Sequence, residues 1–395
     1  MHFKIEPDAI SKLTQMGDVT LFEPAGDAPM NEKKSSVKTP INKMKAEHRQ
    51  ASLTDCIAHL ATPKGAKPVL KTMMTTACER NCYYCPFRAG HSKTKRLTIA
   101  PDELANAFDT LQQSGKVDGL FLSSGIIKGG VTSQDKILDT ADIIRNQYQY
   151  RGYIHLKIMP GAEDAQIQRA MQLADRISIN LEGATEDRLA KLAPKKSFYG
   201  ELLQALQTAH HIRQTDRTAT ASIVTQFVVG AVGDTDLELL SLSERLYHQL
   251  GLARAYYSSF SPIAGTPFEH LPKVADIRER RLYQASFLLR DYAWDIEELP
   301  FINEGNLRTD IDPKLAWAQA NLRENPIDIM QADKYTLMRL PNIGKKGAET
   351  ILKARNQTTL SDFGQLARLG IRMPQQLAPF ILLNGKRPLQ QKRLF

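Results

Sequence analysis

The chain has 395 residues, room for two or three domains and a sizeable core, and a composition, 42% hydrophobic and 24% charged, that argues against a disordered or fibrous protein. No apolar run approaches the roughly 18 residues of a membrane span, and the opening residues lack a basic-then-apolar export signal, so a cytoplasmic protein is expected. The net charge of +9 is unevenly spread: residues 328–395 carry twelve Lys or Arg against four acids, so +8 of it lies there. A segment that basic suits a polyanion such as nucleic acid.

Residues 1–50 are polar, with Pro24, Pro29, Pro40 and a basic run at 31–49, and read as a partly ordered extension. From about residue 66 strands alternate with amphipathic stretches. Strands are predicted within 68–77, 119–125, 153–161, 176–183, 221–230 and 253–262. Helices are predicted within 101–115, 133–149, 163–174, 199–212 and 236–250, and a last one at 275–292. In the first, Leu104, Phe108 and Leu111 share a face, with Pro101 in the opening turn and Gly115 at the end. Six such units in series imply a parallel sheet, because parallel strands need crossover connections. His155 and Lys157 share one strand face; Ser178, Asn180 and Glu182 share another, opposite Ile177, Ile179 and Leu181. Apolar residues on one side and polar ones on the other describe a barrel, or part of one, around a wet or ligand-filled lumen.

Three of the four cysteines, Cys78, Cys82 and Cys85, lie within eight residues, "CERNCYYC", directly after the first predicted strand. In a reducing compartment such a group binds metal or does chemistry rather than forming disulfides. Thiolates at C-x3-C-x2-C spacing can wrap one small centre at the C-terminal mouth of a barrel, where such folds place their chemistry. Four cysteines would saturate a [4Fe–4S] cluster; three leave one iron open to an outside ligand. The competing arrangement is a Cys3His zinc site completed by His91.

The stretch resembles the radical S-adenosylmethionine (SAM) signature, CxxxCxΦC with Φ aromatic. The resemblance implies that Cys78, Cys82 and Cys85 hold a [4Fe–4S] cluster whose open iron takes the amino and carboxylate groups of SAM. It places Tyr84 near the adenine. It also implies a partial (β/α)6 TIM-like barrel, reductive cleavage of SAM to a 5′-deoxyadenosyl radical, and a low-potential electron donor such as flavodoxin or ferredoxin. Ser123, Ser124 and Gly125 stand where many members have Gly-Gly-Glu; the glutamate is missing. Ser178, Asn180 and Glu182 match fourth-strand positions that reach the ribose and methionine, and Gln226 and Gly230 match the fifth-strand glycine motif. From the residues themselves, Cys56 is a candidate hydrogen-atom donor, and His155 and Lys157 are candidate catalytic or substrate-contacting groups.

At the C-terminus, "KYTLMRLPNIGKKGAETILKAR" reads as helix, hairpin, helix with an apolar seam of Leu337, Leu340, Ile343, Ala348, Ile351 and Leu352. It resembles the helix-hairpin-helix consensus, with Asn342 in place of its first glycine, a residue that tolerates left-handed backbone. The resemblance makes Asn342, Ile343, Gly344, Lys345, Lys346 and Gly347 a DNA-phosphate contact. Residues 361–381 look like a degenerate second copy, completing a four-helix unit. Along nearly its whole length the chain resembles the DNA modification and repair group of radical SAM proteins, through "GLFLSSGIIKGG", "GYIHLKIMPGA", "LAPKKS", "YYSSFSPIAGTPF" and "DIDPKLAWA". The expected organisation is an extension (1–50), an α/β barrel (51–300), a linker (301–327) and a small all-α helix-hairpin-helix domain (328–395). The expected substrate is DNA, with RNA or tRNA modification and a non-catalytic, metal-containing nucleic-acid binder as alternatives. Oligomeric state is left open.

Overall fold

The computed structural model describes residues 8–20, 52–62, 65–91 and 94–388. The basic run at 31–49, Lys392 and Arg393 lie outside them. Contacts divide the chain into two units, one of residues 1–232 with 248–274, the other of 233–247 with 275–395.

The first unit begins with helix α1 (Ala9–Thr20), which the sequence pattern did not reveal. It buries Leu13 and Met16 completely. Strand β1 (Ile57–Thr62) was also missed; it pairs antiparallel with β2 (Gly65–Met73), Ile57 opposite Leu70. All six predicted strands form. After β2 come α2 (Pro101–Gln113), β3 (Gly119–Ser123), α3 (Gly129–Asp142), β4 (Tyr153–Lys157), α4 (Asp164–Leu173), β5 (Arg176–Ser178), α5 (Glu186–Leu192), α6 (Gln204–Thr215), β6 (Ser222–Val229) and β7 (Arg254–Ser259); between β6 and β7 runs α7 (Asp236–Leu250), whose residues up to Tyr247 belong to the second unit. The sheet runs in sequence order from β1 to β7 and is parallel from β2 onward. It is a curled half-barrel, and β1 and β7 do not pair.

Rows of buried Leu, Ile and Phe explain the packing. Leu120 and Leu122 of β3, Ile154 and Leu156 of β4, and Leu104, Phe108 and Leu111 of α2 are all nearly inaccessible. The expected wet lumen is only partly polar. Val69 and Phe121 form a separate apolar cluster with Leu60 and Tyr153, and His155 stands edge-on to Phe121 at 4.7 Å.

In the second unit, Arg278 of α8 (Asp276–Asp291) bonds Asp236 at 2.8 Å, and Asp236 accepts the Leu307 amide at 2.9 Å. The stretch expected as a linker is built structure. It holds β8 (Phe301–Ile302) paired with β9 (Asn306–Leu307), then α9 (Pro313–Asn321), started by an Asp312 cap. Ala318, Leu322 and Ile327 share the core of the residues that follow, so covalent order hid a packing role. Strand β10 (Ile327–Asp328), α10 (Lys334–Arg339), α11 (Lys345–Arg355), α12 (Phe363–Arg368) and β11 (Ile381–Leu382) complete the unit. The two predicted helices on either side of the turn form as α10 and α11, with Asn342 at φ +61°. The second copy is more degenerate than expected. Its last helix is a 3₁₀ turn, Pro374–Leu377, and a two-residue parallel pairing of β10 with β11 makes the module not purely helical. No helix among the described residues is long and apolar enough to cross a membrane.

Candidate functional site

The loop after β2 is held from several sides. Gly125, just past β3, donates to the Thr75 carbonyl at 2.8 Å. A Cβ at Gly125 would lie 2.0 Å from the Ala77 carbonyl oxygen, so only glycine permits this crossing of two backbones. Glu79 accepts the Lys128 and Gly129 amides, both at 3.1 Å, and so caps α3. Arg80 bonds Glu201 at 2.7 Å and also the Lys195 carbonyl. The motif's charged residues therefore fix the loop, leaving its cysteines for the interior.

Cys78, Cys82 and Cys85 all line one cavity of about 360 Å³ at the strands' C-terminal ends, within the size range of small-molecule sites. The Ile126 amide points at the Cys78 sulfur and the Phe87 amide at the Cys85 sulfur, both at 3.4 Å. Burial pushes the Cys82 thiol up, with Lys196 pulling the other way. The zinc alternative fails. Both ring nitrogens of His91 are engaged, with the Ala264 carbonyl at 2.9 Å and the Thr94 hydroxyl at 3.0 Å. Among the described residues no three His, Cys, Asp or Glu side chains converge on a single ion. An all-thiolate set spread around one cavity, with amides donating to two sulfurs, fits an iron–sulfur cluster, whose ligands sit on separate irons.

Opposite the cysteines, Asn180 donates to the Gln226 side chain at 3.1 Å. Glu182 lies at φ +65°, a conformation costing on the order of 1–3 kcal/mol for a non-glycine residue. Its amide donates to the Gln226 carbonyl at 2.9 Å, and its own carbonyl accepts from Val228 at 2.8 Å. Its carboxylate pairs with Lys196 at 3.1 Å, both side chains nearly buried. Burial works against the Lys196 charge, but Cys82 and Glu182 outweigh it and raise its pKa. Burial first, then the charge of Glu182, holds the Tyr84 phenol well above its usual range.

Tyr84, Ser124, Gly125, Lys157, Asn180, Glu182 and Gln226 thus line the cavity with the cysteines. Ser123, Ser178 and Gly230 do not; Ser123 is fully buried, facing the Thr72 carbonyl. Cys56 is also elsewhere: its thiol donates to the Leu13 carbonyl at 3.0 Å, packed against α1, so a hydrogen-atom donor role does not fit. His155, buried beside Phe121 and held neutral by that burial, does not line the cavity either. Lys196 and Arg80 were not recognised as site residues. Lys196 sits in an irregular loop after α5, where no periodicity marks its direction.

The family model described as the radical SAM superfamily matches residues 72–246. No curated protein matches the chain. Among solved structures, the FeFe-hydrogenase maturase HydG from Carboxydothermus hydrogenoformans is 15% identical with a TM-score of 0.45, the match covering 55% of this chain and 50% of that one. Methylornithine synthase (PylB) is 17% identical with a TM-score of 0.43, over 55% of this chain and 60% of that one. The radical S-adenosylmethionine methyltransferase TsrM from Kitasatospora setae is 12% identical with a TM-score of 0.37, over 53% of this chain and 38% of that one. The chain thus spans about half the length of the structures it matches. The half-barrel, its three-cysteine mouth and the matched residues together make residues 72–246 a radical SAM superfamily domain, the family that uses a [4Fe–4S] cluster and S-adenosylmethionine.

Proposed function

We propose that this chain is a cytoplasmic radical SAM enzyme that modifies or repairs nucleic acid, DNA before RNA, with electrons from a donor such as flavodoxin or ferredoxin. In this reading Cys78, Cys82 and Cys85 hold the cluster. A cluster bound there and reduced would supply the electron for reductive cleavage of the SAM sulfonium to a 5′-deoxyadenosyl radical. Glu182 and Asn180, fixed by Lys196 and Gln226, orient the cosubstrate, Tyr84 flanks its adenine, and Lys157 faces the substrate.

The observation carrying the nucleic-acid half is the basic hairpin. Lys345 and Lys346 open α11, three and four residues after the left-handed Asn342, which puts two cations in the first turn of a helix whose N-terminal amides suit a phosphate. Such contacts read backbone rather than sequence and weaken steeply with salt. A target inside a duplex would have to be flipped or already exposed to meet a radical in a barrel.

The test is mass spectrometry of nucleosides from DNA and RNA incubated with anaerobically reconstituted, reduced enzyme and SAM. About four irons per chain, 5′-deoxyadenosine, and a mass-shifted nucleoside that Cys82→Ala abolishes are expected. Zinc in place of iron, or product formation surviving Cys82→Ala, would sink the mechanism. 5′-Deoxyadenosine formation without altered DNA or RNA would sink the substrate assignment.

A further inference from the structure

The second unit contains a concavity of about 600 Å³ that the chemistry above does not use. Its walls come from three places: the face of α8 bearing Phe287 and Asp291, the α10–α11 hairpin with Lys345 and Lys346, and the second turn with Ile371 and Arg372. Phe287 is 41% exposed. A single exposed aromatic is ordinary; this one stands in a basic wall. The Arg290 guanidinium lies 4.8 Å from its ring centre, and the neighbouring acid, Asp291, is tied to Arg290 at 2.7 Å. Lys345, Lys346 and Arg372 form no side-chain ion pair or hydrogen bond among the described residues. The rim is therefore cationic on two separate turns while one side offers a flat apolar ring.

An aromatic face beside cations spaced along a groove is the chemistry that holds an unpaired strand: bases stack on the ring and phosphates meet the cations. A duplex keeps its base faces covered by their neighbours and can engage only the cations. We infer that this concavity seats single-stranded DNA, one unstacked base on Phe287 with its flanking phosphates at Lys345, Lys346 and Arg372. The inference rests on the nucleic-acid reading above and narrows it, from a module that grips duplex backbone to one that selects exposed bases. Held there, the strand next to the bound base is already unpaired.

The full-length protein is titrated, by fluorescence anisotropy, into labelled oligothymidylate, an all-abasic strand of equal length, the matching duplex and oligouridylate. Oligothymidylate is expected to bind about 5- to 100-fold more tightly than the abasic strand, the worth of one stacked base. Phe287→Ala should erase that difference without changing abasic binding, and Phe287→Trp should keep it. Lys346→Ala with Arg372→Ala should weaken both strands alike. Equal binding of oligothymidylate by Phe287→Ala and the wild type overturns the inference. So does duplex bound as tightly as single strand, while leaving the nucleic-acid reading intact. Tighter, Phe287-dependent binding of oligouridylate overturns the choice of DNA. No binding to any of the four removes the nucleic-acid reading itself, and the inference with it.

Discussion

Lys314 of α9 offers a quantitative check on the second unit. Its ammonium donates to the Ile343 carbonyl at 2.5 Å and lies 4.9 Å from the centre of the Tyr292 ring. Burial lowers its pKa from 10.5 to about 7, with Asp312 pulling the other way. Because the folded-state pKa is the lower one, the unfolded chain binds more protons between pH 7 and pH 10.5. Stability must therefore rise with pH through that window and level off below it. The full shift corresponds to about 5 kcal/mol. Lys314 remains partly accessible, so on the order of 2 kcal/mol is the realistic part. About three fifths of that gain falls between pH 7 and pH 9.5, so with a urea slope of about 2 kcal/mol/M the unfolding midpoint should climb by about 0.6 M over that interval. The chain has two tryptophans, Trp294 and Trp317, whose rings are 5.1 Å apart in this unit. Their fluorescence reports its unfolding directly. Lys314→Met should remove most of the pH slope; a wild-type midpoint that is flat or falls, or a slope that survives Lys314→Met, would refute the reasoning.

Three further outcomes are expected. Gly125→Ala forces a Cβ against the Ala77 carbonyl; the usual overpacking cost is about 1–3 kcal/mol, and this contact is with rigid backbone. Iron content per chain and the thermal midpoint should both fall, and full iron loading would contradict the crossing described. Lys196→Met strands the buried Glu182 carboxylate and should cost about 3–5 kcal/mol in thermal or denaturant unfolding. Adding Glu182→Gln should recover much of that loss, and a double variant as unstable as the single one would argue against the pair. Asn342→Gly should be nearly neutral and Asn342→Val should lose about 1–2 kcal/mol, read by tryptophan fluorescence in urea.

What could be read from sequence was whatever repeats or sits close along the chain. The six parallel strands announced themselves through apolar alternation and the helices between them through three- and four-residue spacing. The cysteine motif was complete within eight residues. The left-handed turn at Asn342 followed from residue type. Missing were features set by distant partners. Strand β1 belongs to the sheet because β2 offers it an edge, and α1 because Leu13 and Met16 find a surface on residues far along the chain. Alternation put Ser178, Asn180 and Glu182 on one face; Asn180 and Glu182 line the cavity, while Ser178, where the regular strand ends, does not. Lys196 is part of the site through a fold-dependent ion pair that no local pattern encodes.

The unclosed sheet has a consequence of its own. A closed barrel can be entered only through its ends, so a polymer must present a terminus or a loop narrow enough to be threaded. Here the strands stop at β7 without returning to β1, and backbone pairing leaves a seam along the sheet. Under the nucleic-acid reading, we propose that a long substrate lies against that seam and needs no free end. Circular DNA and linear DNA should then serve equally well.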